Sequence, residues 1–591
     1  MGQDARPGEA RQRPWDWVSW WYSLILPVAL LLLIVTLIID GLGSDPAVSG
    51  VVTDAYTGEP VSGARVALGA TAVETNGDGK FAFDTPISGA LSISHDEYES
   101  TQVAVSEADQ QVRVQMRPTT LSGRVINVRS GDPVSGATVT VSSPTQASVK
   151  TVTDDDGRYL LFDVPADATI TVEYPGLTTI SQPVNQSTEL DFEVRPDVIT
   201  GVVVDQDGQP LAEAQVEIGG VSAVTGPDGT FQLDGVPESG DIVVKRAGYH
   251  DVVAEYPDDM TLEVTLEAFD VRAIYVASEV AGNDEQWDAI LDLVERTELN
   301  AVVLDVKDGT GAVLYDTGVQ LAIDAGARAP VYDLNARLDD LKDREIYAIA
   351  RVVVFEDPVL PAARPERAIR DLATGDIWTT WDGRAWPNAF DETVWQYNID
   401  IAKEVAEAGF DEVQLDYLRF PTDGPVEVAD YGREVTVESR TAAISEFLTR
   451  MRAALAPTGT FLAVSVEGTT LWDESDNGIG QDLDMIAPLA DVVNPRIYPS
   501  HFSPGSFGYD FPNDHPYSVI TINMQRIDER FGTAGFKFRA WLQDFSSGLG
   551  IDYGIDEVRA QIDAATAHNA SGWMLWNATS TYTEGALRAA E

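Results

Sequence analysis

GFDEVQLDYLRFP, residues 409–421, decides how the larger part of this chain is read. Residues 413–420 form a short apolar run that alternates in the manner of a β-strand. Val413 and Leu415 share one face, suited to packing under helices; Gln414 and Asp416 share the other. A strand with one apolar face and one face holding a carboxylate fits a barrel wall whose polar side looks into the lumen.

The same kind of run recurs on both sides of this one. Residues 271–278, 301–308, 346–356, 461–468, 492–498, 536–545 and 572–577 are all short and apolar, with helix-like stretches between them. Eight strand–helix units in roughly 320 residues predict a (β/α)8 barrel over 270–591. In that fold the chemistry sits where strands end, at the C-terminal face. Parity along 461–468 turns Ala463, Ser465 and Glu467 inward, and along 301–308 it turns Asp305 and Lys307 inward. Asp416 and Glu467 then end neighbouring strands, 4 and 5. Paired carboxylates are what glycoside hydrolysis needs, one ionised for the anomeric carbon and one protonated for the leaving oxygen. The competing reading is internal salt bridging, with Arg419, Lys307 or Arg496 as partners.

Composition narrows the alternatives. The net charge is −56, the pI is about 4.1, and of 39 basic residues only seven are lysine. Such a surface argues against nucleic-acid binding, which needs clustered Lys or Arg. There are no cysteines, which excludes disulfides, thiolate nucleophiles and Cys-ligated zinc. The five histidines show no HExxH pattern, which argues against a His-rich metal centre and a Ser-His-Asp hydrolase; carboxylates could still hold Ca²⁺ or Mg²⁺, and no cofactor is implied.

Residues 20–39 are apolar and free of charge, long enough to cross a bilayer core of about 30 Å. Trp15, Trp17, Trp20, Trp21 and Tyr22 supply an aromatic belt. Arg6, Arg11 and Arg13 precede the run, and the next basic residue is Arg65. The positive-inside rule therefore places 1–19 in the cytoplasm and everything after Asp40 outside, with 20–39 as an uncleaved signal anchor in the lipid bilayer. A cleaved signal peptide is the alternative.

Between anchor and barrel the sequence repeats itself three times, over 46–118, 119–196 and 197–268. SGVVTDAYTGEPVSGARVAL (49–68), SGRVINVRSGDPVSGATVTV (122–141) and TGVVVDQDGQPLAEAQVEI (200–218) head the copies. Each continues to an Asp-Gly hairpin signal, at Asp78-Gly79, Asp156-Gly157 and Asp228-Gly229. The copies resemble the carboxypeptidase regulatory-like domain, a transthyretin-like seven-stranded β-sandwich. The resemblance implies a stalk of three all-β domains, and these repeats contain no tryptophan.

In the barrel region, GFDEVQLDYLRFP, LNAVVLDVKD (299–308) and NPRIYPSHFSPGSFGY (494–509) together resemble a glycoside hydrolase family of bacterial exported proteins, first catalogued as a domain of unknown function. The layout is also similar to the α-amylase group. That similarity implies Asp416 as nucleophile, Glu467 as acid/base and Asp544 of WLQDF as third carboxylate. One position departs: the α-amylase strand-4 motif has an arginine two residues before its aspartate, where this chain has Gln414, and Arg419 follows instead.

Trp378, Trp381 and Trp386 fall in one loop after the third strand, and Trp472 just after the fifth. A flat aromatic ring stacks on a sugar's apolar face, so these four are candidate substrate contacts. Asp305, Lys307, Glu356, Arg419, Arg496, Tyr498, His501, Trp541 and Asn577 complete the candidate sugar-binding set. The expected activity is hydrolysis of a polysaccharide or cell-envelope glycan by a retaining mechanism. The rivals are a non-catalytic glycan receptor and a structural surface protein.

Overall fold

A computed structural model describes residues 48–590 except 85–87, 107–110, 533–536, 549, 569 and 570. Residues 20–39, the expected anchor, lie outside the described residues. Among the described residues no helix is long and apolar enough to cross a membrane. The chain divides into two compact units, residues 1–197 and 198–591.

The first unit holds two sandwiches of one design. In each, a three-stranded sheet faces a four-stranded one. Val48–Asp54 pairs antiparallel with Lys80–Phe83 and parallel with Gln111–Met116. Leu121–Asn127 does the same with Arg158–Leu161 and Phe192–Val194. Two features of the repeat have physical causes. A Cβ on Gly50 would lie 2.4 Å from the Val112 carbonyl, and one on Gly123 only 1.8 Å from that of Leu190, so the parallel strand can approach only a glycine. The buried hydroxyls of Thr75 and Thr153 donate to Val61 and Val134 carbonyls at 2.7 and 2.5 Å. They also accept from Ala64 and Ala137 amides, which satisfies the turn inside the core.

The second unit opens with a third sandwich of the same plan, in which Val198–Asp205 pairs with Thr230–Asp234 and Thr261–Leu266. The acidic turns of all three copies fold back on themselves. Asp54, Asp154 and Asp205 each accept two backbone amides with one carboxylate oxygen.

The barrel follows. Its strands are β1 (Val271–Val276), β2 (Ala301–Lys307), β3 (Tyr347–Val353), β4 (Glu412–Asp416), β5 (Phe461–Glu467), β6 (Val492–Arg496), β7 (Ala540–Gln543) and β8 (Gly572–Trp576). They are parallel, pair in sequence order, and close β8 onto β1. The expected eight-stranded barrel is therefore present. Longer helices lie between the strands: α1 (Asp284–Arg296), α2 (Leu334–Lys342), α3 (Glu392–Ala408), α4 (Val437–Leu455), α5 (Pro516–Phe531) and α6 (Ile555–Thr566). Asn283, Asp333, Asp391 and Thr436 start the first four by accepting a first-turn amide, the usual relief for orphan helix donors. Leu462, Val464 and Val466 of β5 join the large apolar layer beneath the helices. Ala273, Val303, Ile349, Trp541 and Met574 form a separate apolar cluster inside the barrel.

Near the N-terminal end of the lumen Arg539 donates to both oxygens of Glu412 at 3.0 Å, with neither side chain more than 1% exposed. Removing one partner of such a pair strands a buried charge. Glu412→Gln should therefore cost about 3–5 kcal/mol of stability. Thermal melting of the full chain checks this; a midpoint unchanged from wild type would contradict it.

Candidate active site

At the C-terminal mouth the strands bring acid and base together in alternation. Arg351, from β3, donates to Asp305 at 2.6 Å on one side and to Asp416 at 2.8 Å on the other. Arg496, from β6, faces Asp416 at 3.7 Å and bonds Glu467. Arg419, just past β4, stands 3.7 Å from Glu467 and 3.1 Å from Asp423. The order around the mouth is thus Asp305, Arg351, Asp416, Arg496, Glu467, Arg419. Charges this deep persist only when paired, and each here has a partner.

Aromatic rings support the arginines. Tyr275 donates to Asp305 at 2.6 Å and stacks on Trp576 with centroids 4.0 Å apart. The Arg351 guanidinium lies 5.1 Å from the Trp576 ring. Arg496 and Arg419 both stand over Tyr417, at 5.0 and 5.4 Å. Tyr417 takes a φ of 52°, a left-handed conformation that costs a non-glycine residue of order 1–3 kcal/mol. The turn lets its amide donate to Asp416 at 2.9 Å while its ring supports both guanidinia.

These surroundings push two carboxyls apart. Burial raises Asp305, and Arg351 only partly offsets it, so its pKa lies above the usual range. Burial also acts on Asp416, but Arg351 and Arg496 together outweigh it and hold this carboxyl below the usual range. Asp416 is ionised at neutral pH. Glu467 is the more open of the strand-end pair, with 29% of its side chain exposed against 5% for Asp416.

Several expected site residues stand in this cluster: Asp416, Glu467, Asp305, Arg419 and Arg496. Tyr498 is buried beside it and meets His501 edge-on at 4.9 Å. Burial and the nearby Arg496 lower the His501 pKa, which leaves the ring neutral at pH 7. Trp541 lies inside the barrel against Trp576 and donates to Ser465 at 3.2 Å. Glu356 is buried after β3 and pairs with Arg384 from the following loop.

Others are placed differently. Lys307 does not face the lumen. β2 carries an irregularity after Asp305: Asp305 pairs with Arg351, but Lys307 pairs with Val352, so alternation breaks. Its ammonium turns toward α3, bonding the Val353 carbonyl at 2.7 Å, Asp357 at 3.0 Å and Asn398 at 3.3 Å, with no exposure. Asp544 is held away from the paired carboxylates. Its two oxygens accept the Thr583 hydroxyl and amide at 2.7 and 2.9 Å, and burial raises its pKa. Asn577 donates to the Asp544 carbonyl at 2.6 Å and caps the turn at Thr579. Trp378 and Trp386 are buried, packing the loop rather than offering a face. Trp472 is tied to α5 through a 2.8 Å bond to Asn523.

Arg351, Tyr275, Tyr417 and Trp576 were absent from the expected set. Parity held a signal for Arg351, a lone arginine in the apolar run YAIARVV that shares its face with Ile349. Tyr275 likewise shares its face with Ala273.

A family model described as "Putative glycosyl hydrolase domain" matches residues 273–582. A second, "Carboxypeptidase regulatory-like domain", matches 120–195 and 198–271. Among solved structures, a hypothetical protein from Ruminiclostridium thermocellum is 34% identical, covering 32% of this chain and 96% of that one, with a TM-score of 0.30. The PgaB (BpsB) glycoside hydrolase domain from Bordetella bronchiseptica is 13% identical over 53% of this chain and 95% of that one, with a TM-score of 0.41. The catalytic domain of β-amylase from Paenibacillus polymyxa is 8% identical over 54% and 95%, with a TM-score of 0.35. No curated protein matches the chain.

The central guanidinium yields a test by pH. Asp416 has a depressed pKa, so its stabilising contribution is present above the ordinary carboxylate range and is lost only as pH falls below it. Arg351→Met removes that support, and burial then raises both Asp416 and Asp305. A raised carboxyl destabilises at neutral pH and recovers on protonation. The variant's deficit in melting temperature should therefore be largest at pH 7 and shrink toward pH 4. A deficit independent of pH would refute this account.

Proposed function

From the chain's membership of the family described as a "Putative glycosyl hydrolase domain", whose model spans more than half of it, we propose an extracytoplasmic hydrolase of polysaccharide or cell-envelope glycan. One observation carries the reading: Asp416 and Glu467, on adjacent strand ends, share the single guanidinium of Arg496. Both carboxylates reach that one guanidinium and so stand side by side at the mouth; in this reading the scissile glycosidic bond lies over the pair.

In the retaining scheme Asp416, buried and ionised, attacks the anomeric carbon. The C1–carboxylate bond forms as the bond from C1 to the leaving oxygen breaks, and Glu467 gives that oxygen its proton. Water then enters, Glu467 takes one of its protons, and the sugar leaves Asp416. The exposure of Glu467 suits proton exchange between the two steps. Arg496 touches both groups throughout and fixes their relative position. Arg351, from β3, keeps Asp416 ionised. Residues 20–39 would hold the enzyme in the membrane, with three sandwiches as a stalk.

The second reading is a glycan receptor without hydrolysis. It is favoured by the saturation of Asp416, whose oxygens already meet Arg351, Arg496 and the Tyr417 amide.

Reducing-end release from cell-wall and storage polysaccharides, by the full chain in detergent at low and high salt, separates the two. Wild type should release ends. Glu467→Gln should lose about 10²–10⁴-fold, the usual contribution of general acid–base catalysis. Asp416→Asn should lose at least as much. Binding without release by any form would leave the receptor reading in place of the enzyme.

A further inference from the structure

The loop after β3 contains a second feature of chemical interest. Residues 379–385 form a small hairpin, with Thr379 bridged to Ala385. Its two flanking tryptophans, Trp378 and Trp386, are buried, but Trp381 at the tip is 77% exposed. That ring is largely open to solvent, although the backbone under it is fixed. The Trp381 amide donates to the Asp423 carbonyl at 2.8 Å, and the Thr380 amide to the Arg384 carbonyl at 2.9 Å. Arg384 bonds Asp382 at 2.7 Å and pairs with the buried Glu356 at the end of β3. The hairpin is thereby fastened to the barrel wall.

It is also joined to the carboxylate cluster. Trp386, on the returning strand of the hairpin, lies 5.2 Å from the guanidinium of Arg419, and Arg419 reaches Glu467. Beside the exposed ring stand two largely exposed carboxylates, Asp382 at 58% and Asp423 at 51%. An exposed indole carried on a fixed backbone and flanked by hydroxyl acceptors suits a sugar ring, whose C–H face is apolar and whose edge is polar.

We propose that Trp381 is a stacking platform for one sugar unit of a polymeric glycan that runs over the rim of the barrel, outside the bond addressed by Asp416 and Glu467. This rests on the reading of the barrel as a glycan site, and it names the substrate class: a long chain gripped at an internal position, not a short oligosaccharide held wholly in the lumen. Among the described residues the ion-pair cluster is held by Arg351, Arg496 and Arg419, not by Trp381.

The test is affinity electrophoresis of the full chain through gels containing amylose, laminarin, chitosan or xylan, beside reducing-end assays on the same polymers. At least one polymer should retard the wild type and Asp416→Asn alike. Trp381→Ala should weaken that retardation tenfold or more, with melting temperature unchanged, and Trp381→Phe should restore most of it. Where hydrolysis occurs, Trp381→Ala should raise KM on the polymer more than it lowers kcat. Retardation of Trp381→Ala equal to wild type overturns the proposal, as does a wild type that no polymer retards. Retardation lost in Trp381→Ala while no form releases reducing ends would sink the hydrolase reading and leave the platform standing.

Discussion

The bridging of three strand-end carboxylates by arginines from neighbouring elements is the constraint on which the barrel mouth depends. Asp305 and Asp416 are buried and Glu467 partly so, and unpaired charge at such depth costs several kcal/mol per ion. Arg351 and Arg496 stand between them and resolve the conflict. The solution requires β2 to β6 to end at matched heights, since a shift of one residue would turn a charge into the apolar layer beneath the helices. It also accounts for the strained Tyr417, whose turn is the price of placing one ring under two guanidinia.

The fold was legible because barrel strands obey simple alternation. The parity of β4 and β5 correctly separated Gln414, Asp416, Ser465 and Glu467 from the apolar residues between them. The same count failed at Lys307, where the register of β2 slips and the ammonium turns outward to Asp357. No local sequence signal marks that slip. At Asp544 the difficulty was different. The carboxylate follows the last ladder residue of β7, and its partner Thr583 lies past the end of β8, 39 residues on, where the β7–β8 pairing brings it near.

Tryptophan is the residue type on which sequence reading is weakest. Trp378, Trp381 and Trp386 are within nine positions of one another and look equivalent. Their fates differ because the hairpin has two sides: two rings fill the space between loop and barrel, and one is left outside. Arg351 shows the reverse error. A lone arginine inside an apolar strand is a costly placement that calls for a buried acidic partner, and here it has two. The repeats were legible for a related reason, because Gly50, Gly123 and Gly201 recur wherever a parallel strand leaves no room for a side chain.

The balance of charge at the mouth bears on what the site can receive. The chain as a whole is at −56, so any anionic polymer meets a repulsive field at long range. The mouth does not invert that field, for Asp305, Asp416 and Glu467 are matched by Arg351, Arg496 and Arg419. Every one of the bases is an arginine, in a chain where lysine is rare. Arginine suits the role: its planar fork holds two carboxylates at once and stands over the rings of Tyr417, Trp386 and Trp576, where a lysine offers only a point charge. A locally neutral, aromatic-backed surface in an acidic molecule gains little from electrostatic attraction. Under the proposed function, selection of substrate then falls to stacking and hydroxyl hydrogen bonds, interactions that persist in strong salt where long-range charge effects are screened.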